Sequence, residues 1–210
     1  LGILPTGTGN DFARSLGIPD DLDAALDRAL EAEPAPIDLG RAGDAPFAGI
    51  AGVGIVADVL TYLHHFSRRY RGNWVYPWAV LRTVASYRPL HVSIESPTGS
   101  FEGPAMIALA ANAPRFGGGM LAAPEASMRD GLLDVVVLGE TSRAGLVGLL
   151  PRVYRGTHLS DPRCLSFRAS RIHLTSDPGA VVYADGEALP AETGGGVEIS
   201  VDPAALRVAV

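Results

Sequence analysis

The chain opens with Leu1-Gly2-Ile3-Leu4-Pro5-Thr6-Gly7-Thr8-Gly9-Asn10-Asp11-Phe12-Ala13-Arg14. The first five residues are mostly apolar and resemble the end of a buried strand, and residues 6–10 are predicted to form a turn of small residues. Asp11 then begins an apolar-periodic stretch that Gly17 and Pro19 close, which predicts a short helix. A strand, a glycine turn and a helix in succession make a βα unit, whose natural neighbours are further βα units. We therefore expect an α/β domain upstream and a chain that is truncated at its amino end.

Downstream of this unit the pattern changes from helical to β-type. A helix is predicted over residues 22–31, with apolar residues recurring at helical spacing, and Pro34 and Pro36 follow it. From Ile37 onward, short β-type runs alternate with glycine, proline and aspartate, as an antiparallel sheet requires. The runs cover residues 37–39, 47–50, 91–94, 106–109, 133–137, 171–174, 180–183, 197–201 and 206–210.

These patterns predict an α+β fold. Residues 1–36 are interpreted as the remnant of an α/β Rossmann-like nucleotide domain, and residues 37–210 as a mainly antiparallel β-sandwich with a few helices. Two helical segments interrupt the β-type runs, at about residues 57–87 and 143–154.

Composition excludes several classes of protein. A net charge of -6 leaves nothing to neutralise a run of phosphates, so we expect no nucleic-acid partner. Cys164 is the one cysteine, which excludes an intramolecular disulfide and a cysteine-rich zinc site and agrees with a cytoplasmic location. No apolar run approaches the roughly 20 residues that span a bilayer, so any membrane contact is expected to be peripheral.

Basic and aromatic residues concentrate in residues 64–88, which carry five arginines together with Trp74 and Trp78. On an acidic protein such a stretch can meet anionic headgroups at a membrane surface. A solvated helix face with ordinary core aromatics explains the same pattern. We place the expected lipid groove at about residues 60–87.

Three segments carry residues suited to chemistry, although each also has a plain structural explanation. Residues 6–10 offer open backbone N–H groups before a helix, an arrangement that favours phosphate. Asp11 is either the helix N-cap or a carboxylate that faces a metal-nucleotide. Most short glycine turns, however, are merely turns.

The second and third segments each contain an Asp-Gly turn. Three glycines at residues 117–119 precede Asp130-Gly131, where a carboxylate and nearby carbonyl oxygens can collect around Mg²⁺. In the third segment Asp185 and Glu187 flank Gly186, so that Glu187 can act as a general base toward a substrate hydroxyl. A plain turn between strands and a hairpin with exposed acids are the structural alternatives.

Other chemistries lack the residues they need. The five histidines show no metal-ligand spacing. There is no Gly-x-Ser-x-Gly elbow for a serine hydrolase and no complete P-loop for a nucleoside triphosphatase.

Taken in order, the segments resemble the bacterial diacylglycerol kinases and related lipid kinases, a family that includes the sphingosine kinases. The resemblance covers almost the whole chain. It rests on residues 4–14, Ala51-Gly52-Val53-Gly54, Asn112 with Gly117-Gly118-Gly119, Pro124 through Asp134, and Asp185-Gly186-Glu187.

The resemblance implies an ATP-dependent and Mg²⁺-dependent kinase that phosphorylates a lipid hydroxyl at the inner face of the membrane. It assigns Gly7, Thr8, Asn10 and Asp11 to the nucleotide site and Glu187 to the general base, with Asp185 as a second carboxylate. It also assigns Asp130, with carbonyls near Ser127 and Leu132, to a structural Mg²⁺. The acceptor is diacylglycerol or a related lipid, and a homodimer is a further expectation.

One departure from the family pattern matters for activity. The Gly-Gly-Asp-Gly-Thr nucleotide motif of the family is expected shortly before Leu1 and is absent from the chain. We therefore expect this polypeptide to be inactive alone. Two alternatives stay open: an NAD kinase of the same superfamily and a non-catalytic lipid-binding module. The start of the first helix, which resembles the lipid kinases, disfavours the NAD kinase.

Overall fold

The structure is a computed structural model that describes residues 1–7, 9–55, 59, 82–84, 87–177, 180–189 and 196–210. The helices in this part of the chain are α1 (Asp11–Ser15), α2 (Leu22–Glu31) and α3 (Arg143–Tyr154), with a 3₁₀ turn at His158–Ser160. The strands are β1 (Pro34–Ala42), β2 (Ala45–Phe47), β3 (Ile50–Gly54), β4 (Leu90–Glu95), β5 (Ser100–Ala111), β6 (Arg115–Phe116), β7 (Met120–Leu121), β8 (Leu133–Gly139), β9 (Cys164–Ala169), β10 (Arg171–Ser176), β11 (Tyr183–Ala184), β12 (Glu187–Ala188) and β13 (Gly196–Ala209).

Two long strands organise the sheet. On one edge of β5, its first half pairs with β4 and its second half with β3. On the other edge of β5 lies β8, which in turn pairs with β9. Strand β13 pairs with both β10 and β1. All these pairings are antiparallel, and the described strands other than the short β6–β7 pair belong to one sheet.

The main core lies where the halves of the sheet meet. Alternate residues of the strands point inward, as the period of two requires, and they include Ile94, Leu133, Val135, Val137, Ile172, Leu174 and Ile199. The architecture is mostly antiparallel sheet with few helices, as the sequence predicts.

Both longer helices begin and end where the sequence indicates. The carboxylate of Asp21 accepts a hydrogen bond from the N–H of Ala24 at 2.9 Å and caps α2. Ser142 caps α3 in the same way, accepting from the N–H of Gly145 at 3.1 Å. Because each cap satisfies an N–H group that lacks an intrahelical partner, it fixes the first turn.

The expected apolar face of α2 is only partly used. Ala25 is buried, whereas Leu22, Leu26 and Leu30 are exposed. The helix packs through its alanines instead. A Cβ atom added to Gly2 would lie only 2.7 Å from the Cβ of Ala29, so only glycine fits at position 2.

Several other element predictions differ from the structure. Residues 1–5 form no strand. Leu1 is hydrogen-bonded to the backbone of Arg207 and Ala209, but residues 2–5 do not continue this pairing along β13. The runs predicted at residues 197–201 and 206–210 form one strand, which ends at Ala209 and bulges near Ala204, where φ is +55°. Residues 180–182 are not strand, and β9 was not predicted.

Most of the helical segment predicted over residues 57–87 lies outside the described residues. None of the helices in the described part of the chain is long and apolar enough to cross a membrane. The domain boundary between residues 36 and 37 stays a prediction.

Candidate active site

The first turn is held by Asn10 and not by Asp11. The N–H of Gly7 donates to Oδ1 of Asn10 at 2.8 Å, and Nδ2 of Asn10 donates to the carbonyl of Pro5 at 3.0 Å. Asn10 occupies the N-cap position of α1 in a left-handed conformation, a region that asparagine tolerates better than most residues. Thr8 lies outside the described residues.

Asp11 is the first residue of α1, so of the two roles left open for it, that of the helix N-cap belongs to Asn10 instead. Its carboxylate reaches across to the glycine turn, where Oδ2 accepts from the N–H of Gly118 and Oδ1 from the N–H of Gly119, both at 2.7 Å. Gly117, Gly118 and Gly119 all have positive φ, which explains three successive glycines. The first two motifs therefore form one unit through the Asp11 carboxylate.

The third motif is anchored in the same way. Oδ1 of Asp185 accepts from the N–H groups of Gly49 (2.9 Å) and Ile50 (3.0 Å), and Oδ2 accepts from the N–H of Ala48 (2.6 Å). Any side chain at position 49 would collide with this carboxylate. Asp185 thus fixes the turn that carries Glu187, and its oxygens already have three donors.

Glu187 begins the short strand β12 and is exposed. Among the described residues its carboxylate has no hydrogen-bond or ion-pair partner. A carboxylate on a fixed turn and free of partners is suited to accept a proton from a ligand hydroxyl.

One cavity brings the three motifs together. It has a volume of about 540 Å³, within the roughly 300–1,000 Å³ of small-molecule sites. Its polar end includes Asp11 and Gly117 from the first two motifs and Asp185 and Gly186 from the third. These positions are far apart along the chain, and the sheet places them around one space.

The remainder of the cavity is apolar. Its walls come from β3, β5, β8 and α3, and they present Val53, Ile55, Ile107, Leu109, Val136, Leu138, Leu146, Leu149 and Val153. Val59, just before the predicted lipid groove, and Val84, within it, also line the cavity. A cavity with mostly apolar walls and a few polar residues matches an amphipathic molecule better than a nucleotide.

Two titratable groups in the cavity wall are held neutral. Burial lowers the pKa of His158, whose Nε2 lies 3.0 Å from the carbonyl oxygen of Ala122. Burial also raises the pKa of the Cys164 thiol. Because neither group is charged near neutral pH, this part of the cavity stays apolar.

The expected cation site is built around Asp130, whose Oδ1 accepts from the N–H of Leu132 at 3.1 Å. Its Oδ2 forms an ion pair with the guanidinium of Arg168, which also lies 3.5 Å from Oδ2 of Asp134. Ser127 and Leu132 are half-buried beside it. Within the described residues no group of three or more His, Cys, Asp or Glu side chains surrounds a common point.

This arrangement does not fit a cation as it stands. Arg168 supplies the positive charge that a magnesium ion would bring, so a cation would have to displace the guanidinium. Asp134 is the second acid of the group: burial raises its pKa, Arg168 lowers it, and Asp130 and Glu125 raise it further. The sequence analysis did not identify Arg168, because nothing near it in the chain marks it as a partner of Asp130.

A buried network joins the turns of the site. Nδ2 of Asn112 donates to the carbonyl oxygens of Asp38 and Ala48, both at 2.9 Å. The carboxylate of Asp38 accepts from the N–H groups of Gly131 and Ala204, both at 2.8 Å. Asp38 was not among the predicted site residues. The one feature of the sequence that could have indicated its role is an acid between two apolar residues, Ile37 and Leu39, in a predicted strand.

Family comparisons agree with these motifs. Residues 49–210 match the YegS C-terminal NAD kinase beta sandwich-like domain, and residues 1–42 match the diacylglycerol kinase catalytic domain.

The curated relatives have corresponding names. The chain is 36% identical over 219 residues to a diacylglycerol kinase of Mycobacterium tuberculosis (strain H37Rv), covering 99% of this chain and 68% of the relative. It is 31% identical over 188 residues to the diacylglycerol kinase of Bacillus subtilis (strain 168), covering 89% and 62%. The chain thus spans about two thirds of the length of the relatives it matches.

Solved structures show the same fold. Two crystal structures of Bacillus anthracis str. Sterne proteins assigned to the diacylglycerol kinases superpose with TM-scores of 0.79 and 0.70, at 24% and 18% identity. The alignments cover 100% and 99% of this chain and 68% and 65% of those proteins. At such identities the likeness establishes the fold alone. The family-model matches and the 36% identity go further: the chain belongs to the family of diacylglycerol kinases and YegS-like lipid kinases.

Proposed function

We propose that the chain is part of an ATP-dependent kinase that transfers the γ-phosphoryl group to a lipid hydroxyl. One observation carries the proposal: the apolar cavity ends among residues of all three motifs. A lipid whose chains fill the apolar part places its hydroxyl at the polar end, beside the turn of Glu187. Diacylglycerol or a related lipid is the proposed acceptor.

Glu187 is the proposed general base, because it has no partner among the described residues and stands beyond a rigid turn. Phosphoryl transfer asks the protein for positioning and charge stabilisation, and a proton acceptor for the attacking hydroxyl adds to these. Asp185, which we expected to be a second catalytic carboxylate, is better assigned as the positioning residue of that turn.

The nucleotide site is proposed to include Gly7, Thr8, Asn10 and Asp11. What supports it is the closeness of the first turn to the glycine turn: a Cβ on Gly9 would lie 3.6 Å from Gly118. Mg²⁺ accompanies ATP in this chemistry and neutralises charge on its phosphates. No step is assigned to a cation at Asp130.

The remaining predictions concern the whole protein. We propose that the 210-residue chain is inactive without the family's nucleotide motif, and that the active protein works peripherally at the cytoplasmic face of a membrane. A homodimer stays a prediction. The lipid groove at residues 60–87 also stays a prediction, because Trp74, Trp78 and most of this segment lie outside the described residues.

The test is ATP-dependent phosphate transfer to a panel of lipids in mixed micelles. It uses a protein in which the family's nucleotide motif precedes this chain, with Glu187→Gln as the variant. We expect one lipid class to be phosphorylated and the variant to lose about a hundredfold or more in rate. The 210-residue chain alone is expected to transfer nothing.

Two other outcomes would replace the proposal. Phosphorylation of NAD without that of any lipid would assign the NAD kinase alternative. Lipid binding without turnover of any substrate would assign the non-catalytic module, because an apolar cavity is sufficient to bind a lipid.

A further inference from the structure

Helix α3 has two different faces. Leu146, Leu149, Leu150 and Val153, at helical spacing, line the cavity. The opposite face presents residues spaced by four, and we call it the outer face of α3: Arg143, Val147, Pro151 and Arg155, with Tyr154 beside them. All five residues are exposed.

The outer face is basic in an acidic protein. Residues 141–160 contain three arginines and no aspartate or glutamate, although the chain carries 23 acidic residues and a net charge of -6. Arg143 and Arg155 have no ion-pair partner among the described residues. Their charges are therefore available to an outside group.

The first acid after this segment does not cancel the excess. Asp161 is shared by two arginines: Nη1 of Arg152 lies 2.8 Å from its Oδ2, and Nε of Arg163 lies 2.8 Å from its Oδ1. Two guanidinium groups on one carboxylate leave a net positive charge. The hydrogen bond from Nη2 of Arg152 to the carbonyl of Thr157 fixes this cluster to the end of α3.

The outer face is also apolar where a solvated helix would be polar. Val147 is 41% exposed and Tyr154 is 47% exposed. Arginines interleaved with aliphatic and tyrosine side chains, without acids, are typical of a helix that lies at a membrane interface.

We propose that the outer face of α3 docks the protein on an anionic phospholipid bilayer. Charge complementarity selects this occupant, because an acidic protein is repelled by such a surface except where arginines stand on it. Salt screens the repulsion of the remaining charges beyond roughly 8 Å, whereas side chains in contact with headgroups still attract them.

Docking in this orientation gives the cavity a direct relation to the bilayer. The helix that touches the headgroups on one side forms the cavity wall on the other, and a helix with its side chains is only about 10–12 Å across. The path of a lipid from bilayer to cavity is then short. This consequence rests on the proposed function, whereas docking itself does not.

Vesicle co-sedimentation of the 210-residue chain tests the proposal. The vesicles contain phosphatidylglycerol mixed with phosphatidylcholine, and pure phosphatidylcholine is the comparison. Arg143→Glu/Arg155→Glu is expected to weaken binding at least about tenfold, since each arginine at a membrane surface contributes about 1 kcal/mol. Binding is also expected to fall at about 0.5 M salt.

The matched control is Arg129→Glu/Arg171→Glu, which makes the same change in charge at exposed positions outside α3. Its binding is expected to stay within about twofold of the unchanged chain, apart from the general repulsion that both variants share. The Arg143→Glu/Arg155→Glu variant is expected to keep the melting temperature of the unchanged chain. The control loses the exposed ion pair of Arg171 with Glu198 and is expected to melt at most a few degrees lower.

Three results would overturn the proposal: no binding of the unchanged chain to anionic vesicles, equal losses in the two double variants, or a dimer in gel filtration that Tyr154→Ser abolishes. The last would assign the face to a second copy. Loss of docking and failure of the kinase remain distinguishable. Vesicle binding needs no turnover, and phosphorylation of a lipid in detergent micelles needs no bilayer.

Discussion

Oδ2 of Asp11 lies 2.7 Å from the backbone nitrogen of Gly118, and this contact joins two motifs that are more than a hundred residues apart. With the second bond to Gly119, the carboxylate fixes a glycine turn whose backbone has little intrinsic order. The first motif is therefore a structural connection between α1 and the cavity.

Replacing Asp11 by Asn should test this connection. An amide keeps the shape but turns an N–H donor toward one of the two glycine N–H groups, so the free energy of unfolding should fall by about 1–3 kcal/mol. Urea unfolding measures the change. Asp20→Asn is the control, because the exposed pair of Asp20 with Arg14 should contribute under about 1 kcal/mol. Equal effects in the two variants would show that the Asp11 contacts do not hold the turn.

Asp185→Asn and Glu187→Gln should separate positioning from chemistry. Asn at position 185 loses one acceptor for the N–H groups of residues 48–50, so the melting temperature should fall along with activity. Gln at position 187 has no contact to lose and should leave the melting temperature unchanged. Thermal unfolding and lipid kinase rates of a protein that also carries the family's nucleotide motif measure both. A stable Asp185→Asn variant with unchanged rate would remove Asp185 from the site.

The glycines of Ala51-Gly52-Val53-Gly54 are explained by strand packing. A Cβ on Gly52 would overlap the carbonyl oxygen of Ala108 and lie 2.7 Å from the Cα of Leu109. Gly52→Ala should therefore destabilise the chain by about 1–3 kcal/mol or more, as overpacking does.

Gly148→Ala is the matched control for this substitution. Nothing lies within 4 Å of the added methyl, and Ala is favoured over Gly inside a helix by about 0.5–1 kcal/mol. The two substitutions should shift the denaturant midpoint in opposite directions. A shift in the same direction would contradict the packing explanation.

The stability of the chain should depend on acid through Asp161. Hydrogen bonds from Arg163, and then the charge of Arg163 and the bond from Arg152, hold the pKa of Asp161 well below its usual range. Because the folded pKa is depressed, the stabilisation is complete above the unfolded pKa of about 4 and is lost as the pH falls below it.

Melting temperatures between about pH 3 and pH 7 measure this dependence. Asp161→Asn should lower the melting temperature at neutral pH and flatten the acid limb. His158 is the other titratable group that should affect stability. Burial lowers its pKa in the folded chain, so below about pH 6.5 the unfolded chain takes up a proton more readily and the folded chain becomes less stable. His158→Gln should therefore change the curve near pH 6 and leave the limb below pH 4. An unchanged acid limb in Asp161→Asn would refute the assignment.

The pair of Asp130 and Arg168 predicts how the chain responds to Mg²⁺. With the guanidinium in place, neither chelator nor added Mg²⁺ should change the melting temperature. Arg168→Gln leaves Asp130 and Asp134 without their cation, so its melting temperature should be lower and should rise on adding Mg²⁺. Calorimetry with and without chelator measures both. Stabilisation of the unchanged chain by Mg²⁺ would instead support the predicted cation site.

Much of the fold could be predicted from local patterns. Asp21 and Ser142 mark helix starts because an N-cap depends only on the next three residues, and both predicted helices have the observed bounds. The burial of α2 could not be predicted in this way: leucines at helical spacing indicate a helix, but whether Leu22, Leu26 and Leu30 are covered depends on what packs against them.

The sequence by itself determined the family, the antiparallel sheet, the helix that begins at Asp11 and the turns that carry Asp130 and Glu187, because helix starts, turns and alternating strands depend on neighbouring residues. Only the tertiary structure decided what the acids do. Asp11 and Asp185 accept backbone N–H groups from distant turns, and Arg168 pairs with Asp130 from a strand that local pattern did not reveal. The cavity also required the folded sheet, because β3, β5 and β8 lie side by side in the sheet although other strands separate them along the chain.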